Sequence, residues 1–221
     1  MTRAKKDSIS MQQSPITDEN SVLATSHNSS LIEKRHQQIV EGACSIFFQK
    51  GYHPTTTRDI ANACGMSIGQ LYHYISSKDD VLYLVHKHMQ RVWQEYLKKS
   101  DIDQIDDPKR KLSEALRYSL EFMSENKKLI QFIYSESKYL DKKHLQIVLD
   151  LDYRNIIGFW RTLLNDVNKT KPLKGDLDII GSVIAYLVAF LALRGWTLKD
   201  KPNREHVDAL IEFILRGLAV E

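Results

Sequence analysis

Residues 51–78, GYHPTTTRDIANACGMSIGQLYHYISSK, leave this chain less conformational freedom than any other stretch. Thr56 followed three positions later by Asp59 has the form of a capping box that opens a helix, and Ser67 followed by Gln70 repeats it. Gly65 falls between the two, where a first helix must end in a left-handed residue. Ile60, Ala61 and Cys64 make a small inward face on the first helix; Leu71 and Ile75 point back at it from the second. At about 100° per residue, Gly69, Gln70 and His73 then point away, with Tyr72 on the flank. Two short capped helices joined by a glycine turn are a helix-turn-helix, and a short helix with an apolar back and a polar, glycine-bearing front can enter a DNA major groove. An ordinary helical corner would account for Gly65 alone. It would not account for two caps, the Gln/Tyr/His front and Lys78 just beyond it.

The rest of the chain extends this helical pattern and predicts an all-α protein of about nine helices, three in a head and six in a body. Residues 31–50 carry Ile39, Ala43 and Phe47 as one stripe, a floor for the two short helices. Residues 77–100 form a connecting helix with Val81, Leu84, Val85, His88, Val92 and Tyr96 at helical spacing. Helices are then expected over 108–125, 126–137, 141–168, 176–199 and 204–218, and no stretch shows sustained strand alternation. The expected division is a disordered polar tail at 1–30, a DNA-binding head at 31–78, and a ligand-binding and dimerisation body at 79–221. Arg3, Lys5 and Lys6 make the tail's start basic, so it is either a solvated arm or one that touches DNA.

Composition bounds the chemistry. Net charge is only +3 over 221 residues, so the chain is no nucleic-acid coating protein. Residues 31–78 hold five basic and three acidic side chains, supplemented by His36, His53 and His73, a modest excess that suits binding by two copies of the head. Cys44 and Cys64 fall on inward faces and read as buried thiols in a reducing cytoplasm; a redox sensor is the alternative. His86 and His88, two apart on a helix, lie on different sides and cannot chelate one ion, so no metal or cofactor is expected. The N-terminus shows no signal-peptide run. Residues 179–193 are free of charge, but a span needs about 20 residues, so they are expected to form a helix buried on nearly all sides rather than a membrane crossing.

The last two helices pose a covering problem. Gly181, Ala185 and Ala189 recur every four residues as a small-residue ridge, and the final helix has a broad apolar face that includes Leu210, Ile214 and Leu218. A homodimer pairing these helices in a four-helix bundle would cover both; a self-contained monomer core is the alternative.

The window GYxxTTxRDIAxxxGxSxGxLYxYxxxK resembles the N-terminus of TetR/AcrR-type transcriptional regulators over about 50 residues, 31–78. The resemblance implies a TetR-like fold with dimerisation through the last two helices. It also implies that Thr57 and Arg58 meet phosphates or a groove edge, that Ser67, Ile68, Gly69 and Gln70 face bases or backbone, and that Tyr72, Tyr74 and Lys78 clamp phosphates. Helical projection puts Tyr74 nearer the inner face than Tyr72, and either could instead be a packed aromatic. Ile75 stands where the family usually has Phe, and Gln70 where it often has Thr, so base preference does not carry over. The segments IYSESKYL and AFLALRGW look like the C-terminal domain of members that sense acyl-CoA thioesters.

The resemblance thus implies a repressor released from a palindromic operator by a small apolar or acyl-CoA-type effector. A helical carrier or enzyme without DNA binding is the alternative class, but the sequence holds no HExxH, paired CxxC or P-loop pattern. An effector pocket among the central helices would draw its lining from Trp93, Tyr96, Leu120, Met123, Tyr134, Tyr153, Trp160, Tyr186 and Phe190. Two charges on apolar faces, Asp152 and Arg194, would need a partner or a ligand: they pair with each other, or Arg194 meets an anionic group.

Overall fold

The computed structural model describes residues 29–195 and 204–219. The N-terminal tail with Arg3, Lys5 and Lys6, and the segment holding Trp196 and Lys199, lie outside the described residues. Among the described residues the regular structure is all helical, joined by short turns and loops, with no strand.

The elements are α1 (Ser29–Lys50), α2 (Thr57–Ala63), α3 (Ile68–Tyr72), α4 (Lys78–Lys98), α5 (Pro108–Glu125), α6 (Lys127–Glu136), α7 (Lys142–Asp152), α8 (Gly158–Thr170), α9 (Leu177–Arg194) and α10 (Arg204–Gly217). A π-helical turn, Tyr153–Ile157, joins α7 to α8 without a break, so the expected long helix over 141–168 is one rod with a bulge in it. Local chemistry sets the boundaries. Gly51 and Gly65 sit at φ +81° and +65°, the left-handed region that ends α1 and turns α2 toward α3. Asp107 caps α5, where Pro108 takes the first turn; Asp141 caps α7 and Asp176 caps α9.

Two apolar clusters organise the packing. The body cluster joins α5, α8, α9 and α10 around Leu112, Leu116, Leu120, Trp160 and Val188. The head cluster packs Ile39, Ala43 and Phe47 of α1 against Ile60, Leu71 and Ile75, and it also takes in Val81 to Val85 of α4 and Phe132, Leu140 and Val148 from the body. α4 is therefore shared, its first turns in the head core and Met89 and Trp93 in the body core. Aromatic contacts reinforce the junction: Phe47 stacks on Phe132 at 5.1 Å between ring centroids, and His53 meets Tyr139 at 3.9 Å.

One expectation fails here. α9 is not buried on nearly all sides: Ile179, Val183 and Tyr186 form an exposed flank, and Phe213 of α10 is 65% exposed. Its length and composition would suffice to cross a membrane, but it is packed along α5, α6 and α8 within the bundle.

Candidate nucleic-acid interface

The geometry of the interface begins at the two caps. Thr56 accepts from the Asp59 backbone N–H at 3.1 Å while the Asp59 carboxylate accepts from the Thr56 N–H at 2.9 Å. These hydrogen bonds, with Lys50 at 3.2 Å, hold the Asp59 carboxyl down at about 2. Ser67 and Gln70 make the same reciprocal pair at 3.1 and 2.9 Å. α1 sets the position of α2 by close approach. Gln38 donates to the Cys64 carbonyl at 2.7 Å, and a Cβ at Gly42 would lie 2.6 Å from the Cys64 sulfur. Nothing in the local pattern singles out Gly42, but a glycine inside a long amphipathic helix is the signal that could have.

Leu71 is fully buried and anchors α3, leaving Ile68, Gly69, Gln70, Tyr72 and His73 exposed on the other side. Ser67 and Arg58 are exposed beside them and Thr57 is half-buried. The Thr57 and Tyr72 hydroxyls lie 3.2 Å apart, joining the outer surfaces of α2 and α3, a pair that sequence reasoning did not anticipate. The sequence-expected residues Thr57, Arg58, Ser67, Ile68, Gly69, Gln70, Tyr72 and His73 thus share one continuous face. Two points of chemistry modify their use. Ser67 and the Gln70 carbonyl oxygen are already engaged in the cap, so a base contact by Gln70 must come from its amide nitrogen or displace the cap. Tyr74 turns inward: it is half-buried, its ring meets His36 edge-on at 6.5 Å, and its carbonyl lies 3.3 Å from the His36 ring nitrogen.

Lys78 departs from the expected phosphate clamp. Its ammonium donates to the carbonyls of Tyr52, His53 and Thr55 at 3.0–3.1 Å and sits 4.3 Å over the Tyr52 ring. Three oriented carbonyls and a ring face satisfy its three N–H donors, so it ties down the loop between α1 and α2. Burial pulls its pKa below the usual lysine range, with neighbouring Asp79 opposing. Ser77 and Asp80 form a third capping box at the start of α4, also unforeseen. Asp80 continues to the body: its other oxygen is 3.5 Å from His144 of α7, whose second nitrogen contacts Asp141 at 2.7 Å and whose ring stacks on Tyr83 at 4.8 Å.

The other expected sites are dispersed. Leu120, Met123 and Trp160 are core residues, Tyr96 and Phe190 are half-buried, and Tyr134, Tyr153 and Tyr186 are exposed; they do not share one cavity. Arg194 is exposed at the end of α9 and not a buried charge. Asp152 takes its hydrogen bond from Gln90 of α4, and burial pushes its carboxyl up to about 6. The ridge read as an interface lies elsewhere than expected. Gly181 is buried against α8, where its Cβ position is 3.3 Å from Trp160, and Ala189 and Ile214 are core. Ala185, Leu210 and Leu218 are half-buried. Gly181 serves α9's close approach to α8 within the chain, and the uncovered apolar surface of α9 and α10 is the flank of Ile179, Val183, Tyr186 and Phe213. Burial raises both thiols, Cys44 to about 12 and Cys64 to about 11, which removes the thiolate a redox sensor needs. His86 is buried and its pKa lowered to about 4, and the described residues hold no cluster of metal-ligating side chains.

Residues 39–83 match the family profile described as bacterial regulatory proteins, tetR family. The HTH-type transcriptional regulator PksA of Bacillus subtilis (strain 168) is 25% identical over 191 residues, covering 86% of this chain and 92% of that protein. A tetR-family regulatory protein from Rhodococcus RHA1 superposes with a TM-score of 0.72 at 20% identity, over 84% of this chain and 97% of its own. The transcriptional regulator FadR from Bacillus subtilis, solved with stearoyl-CoA, gives a TM-score of 0.68 at 18% identity, over 82% and 98%. At those identities the two structural likenesses speak for the fold.

Proposed function

We propose that this chain, similar over residues 39–83 to bacterial regulatory proteins of the tetR family, acts in the cytoplasm as a homodimeric repressor whose hold on a near-palindromic operator is broken by a small apolar, acid-bearing effector. The observation that carries the DNA reading is α3: pinned by fully buried Leu71, capped at Ser67, and offering Ile68, Gly69, Gln70, Tyr72 and His73 to a groove. Arg58 and the exposed Thr57–Tyr72 hydroxyl pair are suited to phosphates on either side. Lys78 supports the interface indirectly, by fixing the loop that leads into α2.

Two heads are needed because one presents little positive charge. The exposed flank of α9 and α10, with Ile179, Val183, Tyr186 and Phe213, is the surface whose burial between two copies would make the dimer. Binding, and no catalytic step, is the activity assigned. An effector acts only if it binds the DNA-incompetent arrangement more tightly, and by linkage DNA then weakens effector binding by the same factor. The shared head core supports such coupling, since Phe132, Leu140 and Val148 cannot move without repacking around Phe47 and the start of α4. That FadR of Bacillus subtilis was solved with stearoyl-CoA favours an acyl-CoA-type effector here as well.

The test is selection from sheared genomic DNA. Fragments retained by the purified protein should share one near-palindromic motif with half-sites about one helical turn apart, roughly 34 Å. Retention no different from protein-free beads would refute the assignment.

A further inference from the structure

Gln70 meets DNA with its hydrogen-bonding polarity already fixed. Its Oε1 accepts from the Ser67 backbone N–H at 2.9 Å, while its own backbone N–H donates to the Ser67 hydroxyl at 3.1 Å. A side-chain amide ordinarily turns over with little resistance, because its oxygen and nitrogen differ little in shape. Here the orientation is set by chemistry. A backbone N–H only donates, so the atom that faces it must be the carbonyl oxygen. The amide nitrogen is left for outside partners. Gln70 is exposed, and among the described residues nothing accepts from its Nε2.

No other side chain on the outer surface of α3 is constrained in this way. Gly69 has none, and Ile68 is apolar. The Ser67 and Tyr72 hydroxyls can donate or accept, and the polarity of the His73 ring depends on its tautomer. Each base shows its own pattern in the major groove. Guanine offers two adjacent acceptors, N7 and O6. Adenine sets its N7 acceptor beside the N6 amino donor, thymine offers the single acceptor O4, and cytosine offers the N4 amino donor. An unconstrained glutamine matches adenine, with its oxygen on N6 and its nitrogen on N7. The capped Gln70 has no oxygen to offer unless it releases the Ser67 N–H. Its two amide N–H groups match the two acceptors of guanine.

We propose that Gln70 is a specificity-determining residue that reads a guanine in each half-site of the operator, through an amide made donor-only by the α3 cap. The proposal rests on the reading of the chain as a DNA-binding regulator and adds one base to it. The cap thus has two effects: it closes the start of α3, and it rejects adenine, because accepting from N6 gives up a capping hydrogen bond at a cost of several-fold in affinity. Cytosine would set donor against donor, and thymine would leave one N–H without an acceptor. The competing arrangement places the amide on a phosphate, where it carries no base preference.

The experiment takes the operator selected from genomic DNA and replaces each base pair by the three others, symmetrically in both half-sites. Full-length wild type, Gln70→Met and Gln70→Glu are compared by competition binding at one fixed salt concentration. Methionine keeps the length of the side chain without its N–H groups. Glutamate keeps the cap, with one oxygen on the Ser67 N–H, and turns an acceptor outward. The wild type should favour guanine over the other three bases by about tenfold at one base pair per half-site. 7-Deazaguanine at that position, which lacks the N7 acceptor, should weaken wild-type binding several-fold. Gln70→Met should flatten the preference there and at no other position. Gln70→Glu should move it to cytosine, whose N4 amino group donates. Glutamate also repels phosphates and weakens binding to every sequence, so the readout is base preference and not affinity. The proposal is overturned if methionine flattens no position, if the position it flattens favours a base other than guanine, if glutamate keeps the guanine preference, or if 7-deazaguanine is tolerated at every guanine of the half-site. The 7-deazaguanine arm uses wild-type protein alone, so it decides even where a variant fails to fold. In all four cases operator binding by the wild type keeps the regulator assignment. Failure of the wild type to hold any operator brings down the assignment and the proposal together.

Discussion

Replacing Gly42 with alanine tests how tightly α1 and α2 are held together. In an isolated helix the change should help, by roughly 0.5–1 kcal/mol, because alanine loses less backbone entropy on folding. Here the new Cβ would stand 2.6 Å from the Cys64 sulfur, 2.9 Å from the Cys64 nitrogen and 3.0 Å from the Ala63 carbonyl carbon. Two of those three atoms are backbone, so a rotamer change cannot relieve the overlap, and α2 must move by several tenths of an ångström. Overpacking of this kind costs about 1–3 kcal/mol. The net is a loss of about 0–2.5 kcal/mol, centred on about 1 kcal/mol, which for a chain of this size lowers Tm by roughly 2–4 °C at the centre of that range. The matched control is Gly69→Ala on α3, where the nearest atom to a new Cβ is the Ser67 hydroxyl at 4.0 Å. That substitution should stabilise by about 0.5–1 kcal/mol. Thermal melts followed by circular dichroism give both signs in one experiment. Operator binding adds a second axis: Gly42→Ala should weaken it through the misplaced helix, and Gly69→Ala should weaken it by blocking close approach to DNA despite the gain in stability. Equal stabilisation by the two alanines would refute the argument, because α2 would then be free to yield.

Three further outcomes follow. Asp152→Asn should raise Tm at pH 8: a carboxyl with a folded pKa near 6 binds protons more readily in the native state, so the wild type loses stability as pH rises from about 4 to 6, by roughly 2–3 kcal/mol, and the variant's advantage should vanish in melts at pH 4. Lys78→Met strips three carbonyls of their donor and should lower the melting temperature of the head as well as operator affinity; a fall in affinity confined to the salt dependence, with Tm unchanged, would restore the phosphate-clamp reading. Val183→Glu on the exposed flank of α9 should yield monomers in sedimentation while secondary structure stays intact, and a tight dimer would place the interface elsewhere.

What this sequence determined alone is what residues within four positions of one another decide. The caps at Thr56 and Ser67 and the left-handed glycines 51 and 65 are closed by such neighbours, and each helix follows from its own apolar period. The outward set on α3 was equally legible, because Leu71 and Ile75 allow only one face to point inward. Tertiary structure decided every question in which a residue had two acceptable partners. Lys78 can reach solvent or a loop 23 to 26 residues earlier, and only the folded turn of 52–55 offers three converging carbonyls. Asp152 finds Gln90 across α4 rather than a cation. α9 is apolar all the way round, so its own pattern states no preference between faces. Gly181 went to α8 because only a small residue lets the two helices come that close, Ala189 went into the core, and that arrangement left the larger Ile179, Val183 and Tyr186 uncovered. Local hydrogen bonds and periodicity are written along the chain, whereas the choice among equivalent apolar faces is an energy difference that exists only once the neighbouring helices are in place.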